Sequence, residues 1–304
     1  MVNTRALSAI RSGIWPDALG GLAGRRLVDA AKGKARGRTT VRSIEELDEA
    51  LAGADEASAV DHDAGMAALS AMRFQSPTDL PRDPDSDEYR EYQLDFYKRL
   101  SDRADYTAAK AEVSDVTADA SPSGLYPYST RSAAAIGQQL VAQGFAIETM
   151  NLSAGSRVVE FGSGWGHLTL QLALSGCEVT SVEINPGMAE IVRRQAERNQ
   201  VEIDVCVEDM LNFRPDSQVE AAVFFESFHH CFEFPQLLDQ LGEFVAPGGL
   251  VAFVGEPIAS FPYPWGLRLD GLSLWSIRRE GWCELGFSTA AWSKNEVGLC
   301  HTAG

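Results

Sequence analysis

The sequence predicts an α/β protein in which a doubly wound parallel sheet follows an N-terminal helical cap. Three observations predict it. Apolar, β-branched stretches alternate with helix-periodic stretches five times between about residue 150 and residue 257, the pattern of a sheet with helices on both faces. The first apolar stretch, Val158 to Phe161, runs straight into Gly162, Gly164 and Gly166. Glycines in a strand-to-helix turn let the backbone approach a ligand that a Cβ would push away. Glu183 then ends the second apolar stretch, about twenty residues on, where a carboxylate can take both hydroxyls of a ribose.

Each element has its own signal. Glu178 to Ile184 alternates and is rich in β-branched residues, a second strand. Pro186 opens a helix through Asn199, with Met188, Ile191 and Val192 at helical spacing. Ile203 to Val207 is a third strand, followed by Glu208-Asp209-Met210. Ala221 to Phe225 is a fourth, wholly apolar strand entering Glu226-Ser227-Phe228-His229-His230. Leu237, Leu238, Leu241, Phe244 and Val245 mark a helix stopped by Pro247-Gly248-Gly249. Leu250 to Gly255 is a fifth strand, ending at Glu256-Pro257.

Upstream the pattern is helical. Ser43-Ile44-Glu45-Glu46 has capping-box spacing. Residues 76–85 are a proline-rich loop, and Asp85 to Glu88 offers a second cap before Tyr89, Tyr92, Phe96, Tyr97 and Leu100. An aromatic stripe at helical spacing reads as core. Gly124 to Tyr128 precedes a helix from about Thr130 to Gln143. The expected organisation is a basic segment over 1–43, a mostly helical cap and acceptor region over 44–149, and the sheet domain over 150–304.

Glycine spacing separates two ligand classes. A dinucleotide fingerprint would put its third glycine at residue 167, which is His167; the third glycine here is Gly166, and Glu160 precedes the turn. This Glu-x-Gly-x-Gly-x-Gly form resembles motif I of the class I S-adenosylmethionine (SAM)-dependent methyltransferases. The resemblance implies a Rossmann-like methyltransferase sheet with SAM as cofactor. That ligand has no pyrophosphate for a helix N-terminus to hold, and a carboxylate near the turn suits its cationic amino-acid end. The cofactor-binding set implied is Glu160, Gly162, Ser163, Gly164, Gly166, Glu183 and Glu226, with Asp209 on the adenine amino group and Met210 on the ring. In the family the segment before motif I commonly closes over the cofactor. Tyr126 and Tyr128 are therefore candidates to face the sulfonium, or else simply pack a turn.

Methyl transfer is an in-line displacement at an activated methyl, so the protein chiefly positions the acceptor. A hydroxyl acceptor also needs a base, expected at the C-terminal edge of the sheet. Glu226, His229, His230 and Glu256 qualify by position. A histidine titrates near neutrality, which favours His229 and then His230, unless the histidine only caps or packs. Glu226, Glu256 and a histidine have acceptable metal-ligand chemistry, but no spacing fixes a geometry and no metal is assigned.

Glu256-Pro257-Ile258, Pro264 to Gly271 and Gly281 to Phe287, together with Asp85 to Leu100 and Phe225 to Cys231, resemble a bacterial methyltransferase subgroup associated with polysaccharide and glycoconjugate assembly. On that resemblance Glu256, Trp265, Arg268 and Asp270 bind the acceptor. A tryptophan face stacks on a sugar ring, and Arg and Asp pair with hydroxyls or a phosphate. A buried Arg268–Asp270 pair is the alternative. The family has seven strands, the last two an antiparallel hairpin. Fewer than 20 residues follow Phe287 and the alternation from Glu296 to His301 is weak, so this hairpin is expected to be short, displaced or incomplete.

The net charge of −17 is unevenly spread: residues 1–42 hold nine Lys/Arg against two Asp/Glu, about +7, which leaves about −24 on the remainder. An acidic body repels phosphates and argues against a nucleic-acid acceptor. The basic segment reads as a solvated tail, a docking arm or a transit segment. Cys177, Cys206, Cys231, Cys283 and Cys300 are odd in number and without C-x-x-C spacing, which points to reduced thiols. With no apolar run of about 18 residues and no signal-type apolar region, the expectation is a cytoplasmic enzyme without a membrane span. Its partner would be a small-molecule or saccharide acceptor, with a homodimer left open. A SAM-binding scaffold without turnover is the alternative, and a nicotinamide oxidoreductase stands third.

Overall fold

The computed structural model describes residues 39–75, 86–102, 125–256, 269–275 and 297–301, with isolated positions between them. The chain forms two compact units: the chain up to Gln75 with Leu269–Trp275, and Ser76–Arg268 with Ser276–Gly304.

In the smaller unit β1 (Thr39–Val41) pairs in parallel with β2 (Met72–Phe74), and α1 (Ile44–Val60) and α2 (His62–Ala71) connect them. Ser43 caps α1 as expected, its Oγ accepting from Glu46 N–H at 3.2 Å, but the Glu46 carboxylate reaches back one residue beyond the cap and accepts from Arg42 N–H at 2.7 Å. Val41, Leu47, Leu51, Leu69, Met72, Phe74 and Leu274 are among the buried residues of this unit. The returning segment carries α8 (Gly271–Trp275), whose Trp275 Nε1 donates to Asp55 Oδ1 at 2.7 Å.

The larger unit begins with α3 (Asp87–Ser101), capped by Ser86, whose Oγ accepts from Tyr89 N–H at 3.1 Å. Tyr89, Phe96, Tyr97 and Leu100 are buried, so the aromatic stripe is core. α4 (Ala133–Met150) is longer than expected and starts later. Tyr128–Thr130 is a 3-10 turn, Arg131 breaks it at φ 50°, and Ser132 then caps the helix.

The sheet contains β3 (Arg157–Phe161), β4 (Glu178–Glu183), β5 (Ile203–Val207), β6 (Val219–Phe225), β7 (Val245–Val254) and β8 (Val297–His301). Its order is β5-β4-β3-β6-β7-β8; β8 is antiparallel to β7 and the other pairs are parallel. The helices in sequence are α5 (His167–Leu174), α6 (Pro186–Asn199) and α7 (Phe234–Phe244). The doubly wound sheet follows from burial on both faces. Val159, Ala222 and Phe224 point into a cluster with Leu237, Leu241 and Phe244 of α7. Their neighbours Val158, Ala221 and Val223 point the other way, to Leu168 and Leu172 of α5 and Ala146 and Met150 of α4. α4 therefore belongs with the sheet, not with a cap ending at residue 149. Phe161 stacks on Phe224 at 4.9 Å and Phe224 on Phe253 at 5.3 Å, a ladder across three strands in which each fully buried ring contributes roughly 1.5–3 kcal/mol.

Two boundaries differ from the sequence pattern. α7 ends at Phe244, before Pro247-Gly248-Gly249, which lie within β7; the register shifts at Val219/Ala221 to take up this irregular stretch. Among the described residues β8 closes the sheet as a single antiparallel strand.

Candidate active site

The C-terminal ends of the parallel strands converge on the glycine turn after β3. Gly162 (φ 63°) donates to Val182 O at 2.8 Å, and a Cβ there would lie 2.6 Å from Ser227 Cβ. Ser227 Oγ in turn donates to Phe161 O at 2.6 Å, tying the end of β6 to the turn. Gly166 (φ 72°) caps α5, and a Cβ would meet Val192 of α6 at 2.8 Å. Gly164 (φ 53°) is different: a Cβ would meet nothing within 4 Å. Two glycines serve close packing, while Gly164 borders open space. The Ser163 side chain points inward, accepting from Ser181 Oγ at 2.7 Å, so only its backbone remains for a ligand.

Glu183 stands at the tip of β4, 5% exposed. Its Oε2 accepts from Gly164 N–H at 2.8 Å and its Oε1 from Asn185 N–H at 2.9 Å. These bonds fix the carboxylate and leave each oxygen a further lone pair. Burial raises its pKa, and the two N–H groups together with the nearby charge of His230 draw it back. Glu160 is more deeply enclosed, at 2% exposure, with Thr169 Oγ1 donating to its Oε2. Burial, with the charge of Glu183, pushes this carboxyl up to about 8 against the hydrogen bonds from Thr169. After β5, Asp209 Oδ1 accepts from Leu211 N–H at 2.9 Å, and Met210 packs on the cluster that includes Phe161 and Phe228.

β6 leads into Glu226, whose backbone is left-handed (φ 53°) although it carries a side chain. Gly255 makes room for it: a Cβ at Gly255 would lie 2.7 Å from Glu226 Cγ. Phe228–His230 form a 3-10 turn. Glu256, expected to bind the acceptor, holds this turn instead. Its Oε1 accepts from Ser227 N–H at 2.7 Å and Phe228 N–H at 2.8 Å, and its Oε2 from His229 N–H at 3.1 Å and His229 Nδ1 at 2.7 Å. Burial alone would raise the Glu256 pKa, but His229 and the backbone donors outweigh it and the net shift is downward. His229, the favoured base, is 2% exposed and its Nε2 is buried. His230 is only half-buried, and the ring centroids of the pair are 4.2 Å apart. α3 covers the following segment: Arg90 Nε reaches both Glu233 carboxylate oxygens at 2.8 Å, and Phe232 packs edge-on to Tyr97 at 5.9 Å.

Tyr126 and Tyr128 are brought to the glycine turn by a residue the sequence pattern did not single out for a role. His167 Nε2 lies 2.9 Å from Tyr126 O, and its ring meets Tyr128 edge to face at 5.5 Å. Its one sequence signal is a polar ring on the first turn of the helix, where a dinucleotide site needs glycine. The charge of Glu226 acts on the Tyr126 hydroxyl, whose pKa is raised first by burial and then by that carboxylate. Asp270 lies in the smaller unit, bridged to Arg73, while Trp265 and Arg268 lie outside the described residues. Among the described residues no three His, Cys, Asp or Glu side chains are grouped to hold a metal ion, and no helix is long and apolar enough to cross a membrane.

Open space before Gly164 and a carboxylate fixed beside it suit a nucleoside, and a second carboxyl, that of Glu160, is buried at the end of β3. Residues 158–249 match the sequence profile of the "Methyltransferase domain" family. This stretch is similar to SAM-dependent methyltransferase domains. The match indicates SAM as the cofactor. Over 108 residues the chain is 33% identical to the SAM-dependent Diels-Alderase iccD of Talaromyces variabilis, covering 34% of this chain and 37% of that protein. Over 113 residues it is 26% identical to the ubiquinone biosynthesis O-methyltransferase of Xylella fastidiosa strain 9a5c, covering 36% and 46%. The chain therefore spans less than half the length of either relative. A solved SAM-dependent methyltransferase from Thiobacillus denitrificans, in complex with S-adenosylhomocysteine, superposes with a TM-score of 0.35 at 22% identity, over 41% of this chain and 50% of that one.

Proposed function

We propose that the protein transfers a methyl group from SAM to a hydroxyl of a small acceptor, with a saccharide as the acceptor class. The observation that carries the hydroxyl assignment is the histidine pair at the sheet edge, with His229 held by Glu256 and the half-buried His230 ring 4.2 Å from it. The saccharide assignment rests on the resemblance of the segment around Trp265, Arg268 and Asp270.

Bound SAM supplies an activated methyl on a positively charged sulfur. Glu183 holds the ribose diol with its remaining lone pairs, and Gly164 leaves the backbone bare beside it. Glu160, protonated in the cofactor-free protein, lies toward the amino-acid end, whose cationic group favours loss of that proton, while Asp209 and Met210 receive the adenine. Tyr126, Tyr128 and Glu226 line the side from which an acceptor approaches. His230, the more open ring, takes the hydroxyl proton as the oxygen attacks; His229 is enclosed and fixes the turn that presents it. Lining up acceptor and methyl supplies most of the acceleration.

A second reading is SAM binding without methyl transfer. The burial of His229 Nε2 favours it, as does a relative whose name gives a SAM-dependent Diels-Alderase. Label from methyl-labelled SAM should pass to oligosaccharide or other hydroxyl acceptors, and His230→Ala should lose that transfer while keeping SAM affinity. Label found only on amines or carbon would overturn the hydroxyl assignment. Tight binding of SAM and S-adenosylhomocysteine, with no transfer to any acceptor, would establish the second reading.

A further inference from the structure

The loop Leu125–Thr130 is fastened at both ends and in the middle. Ser129 N–H donates to Leu125 O at 2.8 Å, and Arg131 N–H to Tyr128 O at 3.0 Å, closing two successive turns. Leu125 and Pro127 are buried, while Tyr126 and Tyr128 remain 45% and 36% exposed. A carbonyl oxygen can only accept, so the 2.9 Å contact with Tyr126 O places the proton of His167 on Nε2. The same ring stands at 79° to Tyr128, a favourable edge-to-face arrangement. His167 thus joins two segments 41 residues apart through one hydrogen bond and one ring contact, from the first residue after the glycine turn.

We propose that His167 is a positioning residue that clamps the Leu125–Thr130 loop onto the glycine turn and so sets Tyr126 and Tyr128 on the acceptor side of the SAM site. This deepens the methyl-transfer reading and rests on it for what the loop covers; the clamp itself can be measured without cofactor. The next side chains of α5 are engaged elsewhere: Leu168 packs in the cluster with Val158 and Met150, and Thr169 Oγ1 donates to Glu160.

Amide hydrogen exchange of the peptide spanning 125–131 in the cofactor-free protein tests the clamp, and calorimetry with SAM tests its consequence. Losing one hydrogen bond and one ring contact should speed exchange of the Ser129 and Arg131 amides and weaken SAM binding, each by about tenfold, in His167→Ala. His167→Gln keeps an N–H donor at the Nε2 position and should recover most of the exchange protection. Should His167→Ala fail to fold, Tyr128→Leu removes the ring face with His167 in place and should give a partial effect on both readouts. Unchanged exchange in these variants overturns the clamp, and faster exchange with unchanged SAM affinity overturns its role at the site. A wild-type protein that binds SAM but methylates no acceptor would sink the methyl-transfer reading and leave both readouts intact.

Discussion

Glu256 Oε2 stands 2.7 Å from His229 Nδ1, and neither side chain is more than 3% exposed. The same carboxylate collects three consecutive backbone N–H groups, so it caps the 3-10 turn and orients the imidazole at once. Removing one partner of a buried pair leaves the other charge or donor unmet, at about 3–5 kcal/mol. Glu256→Ala should lose that much in urea unfolding, and Glu256→Gln, which keeps one acceptor oxygen, distinctly less. Because the folded pKa of Glu256 is depressed, its contribution is complete above the unfolded value of 4.5 and is lost as pH falls through the folded one.

Glu160 has the opposite sign. Its carboxyl is raised from 4.5 to about 8, so the folded protein without cofactor holds a proton that the unfolded chain releases. The stabilisation is complete below 4.5 and disappears as pH rises through about 8, at up to about 1.4 kcal/mol per pH unit. Urea midpoints should fall between pH 5 and pH 8.5. Glu160→Gln, which mimics the protonated group, should flatten that dependence; a mutant with the wild-type slope would refute the assignment.

The glycines of the turn should separate stability from binding. Gly162→Ala adds left-handed strain to a 2.6 Å overlap with Ser227 and should cost at least about 1–3 kcal/mol of stability. Gly164→Ala meets no atom within 4 Å and should cost only about 1 kcal/mol. Its Cβ enters the space assigned to the nucleoside, so SAM affinity should drop about tenfold or more, equivalent to 1.4 kcal/mol. Thermal melts and calorimetry on both variants check this.

Glu226 stores strain at the site. A non-glycine residue at φ 53° costs about 1–2 kcal/mol, part of which Glu226→Gly should return, since glycine's greater unfolded-state freedom offsets the rest. The variant should be neutral to about 1 kcal/mol more stable and should lose turnover. A Glu226→Gly protein that is both less stable and fully active would argue against a functional carboxylate here.

The parallel strands were readable because burial on both faces makes each a short apolar run, and Pro186 and the glycines punctuate them. The tips of the strands were readable for the same reason, and so were Glu183, Asp209 and the histidines as residues at one edge. What local pattern could not carry is pairing across distance. β1 and β2 are three residues each, and their unit is completed by a segment nearly two hundred residues later. Glu256 follows its strand as any loop acid would; that it turns back under Ser227 depends on where β6 ends beside β7. His167 is tied to a carbonyl 41 residues upstream, and a backbone acceptor leaves no mark in a sequence.

The antiparallel edge strand has a consequence for synthesis. β7 ends at Val254 and its outer neighbour does not begin until Val297, so on a ribosome the five parallel strands can assemble while one flank still offers bare amides and carbonyls. Such a flank is a template for any extended peptide. Nascent chains halted before Val297 should therefore need a chaperone to stay apart, even with the glycine turn and Glu183 already in place.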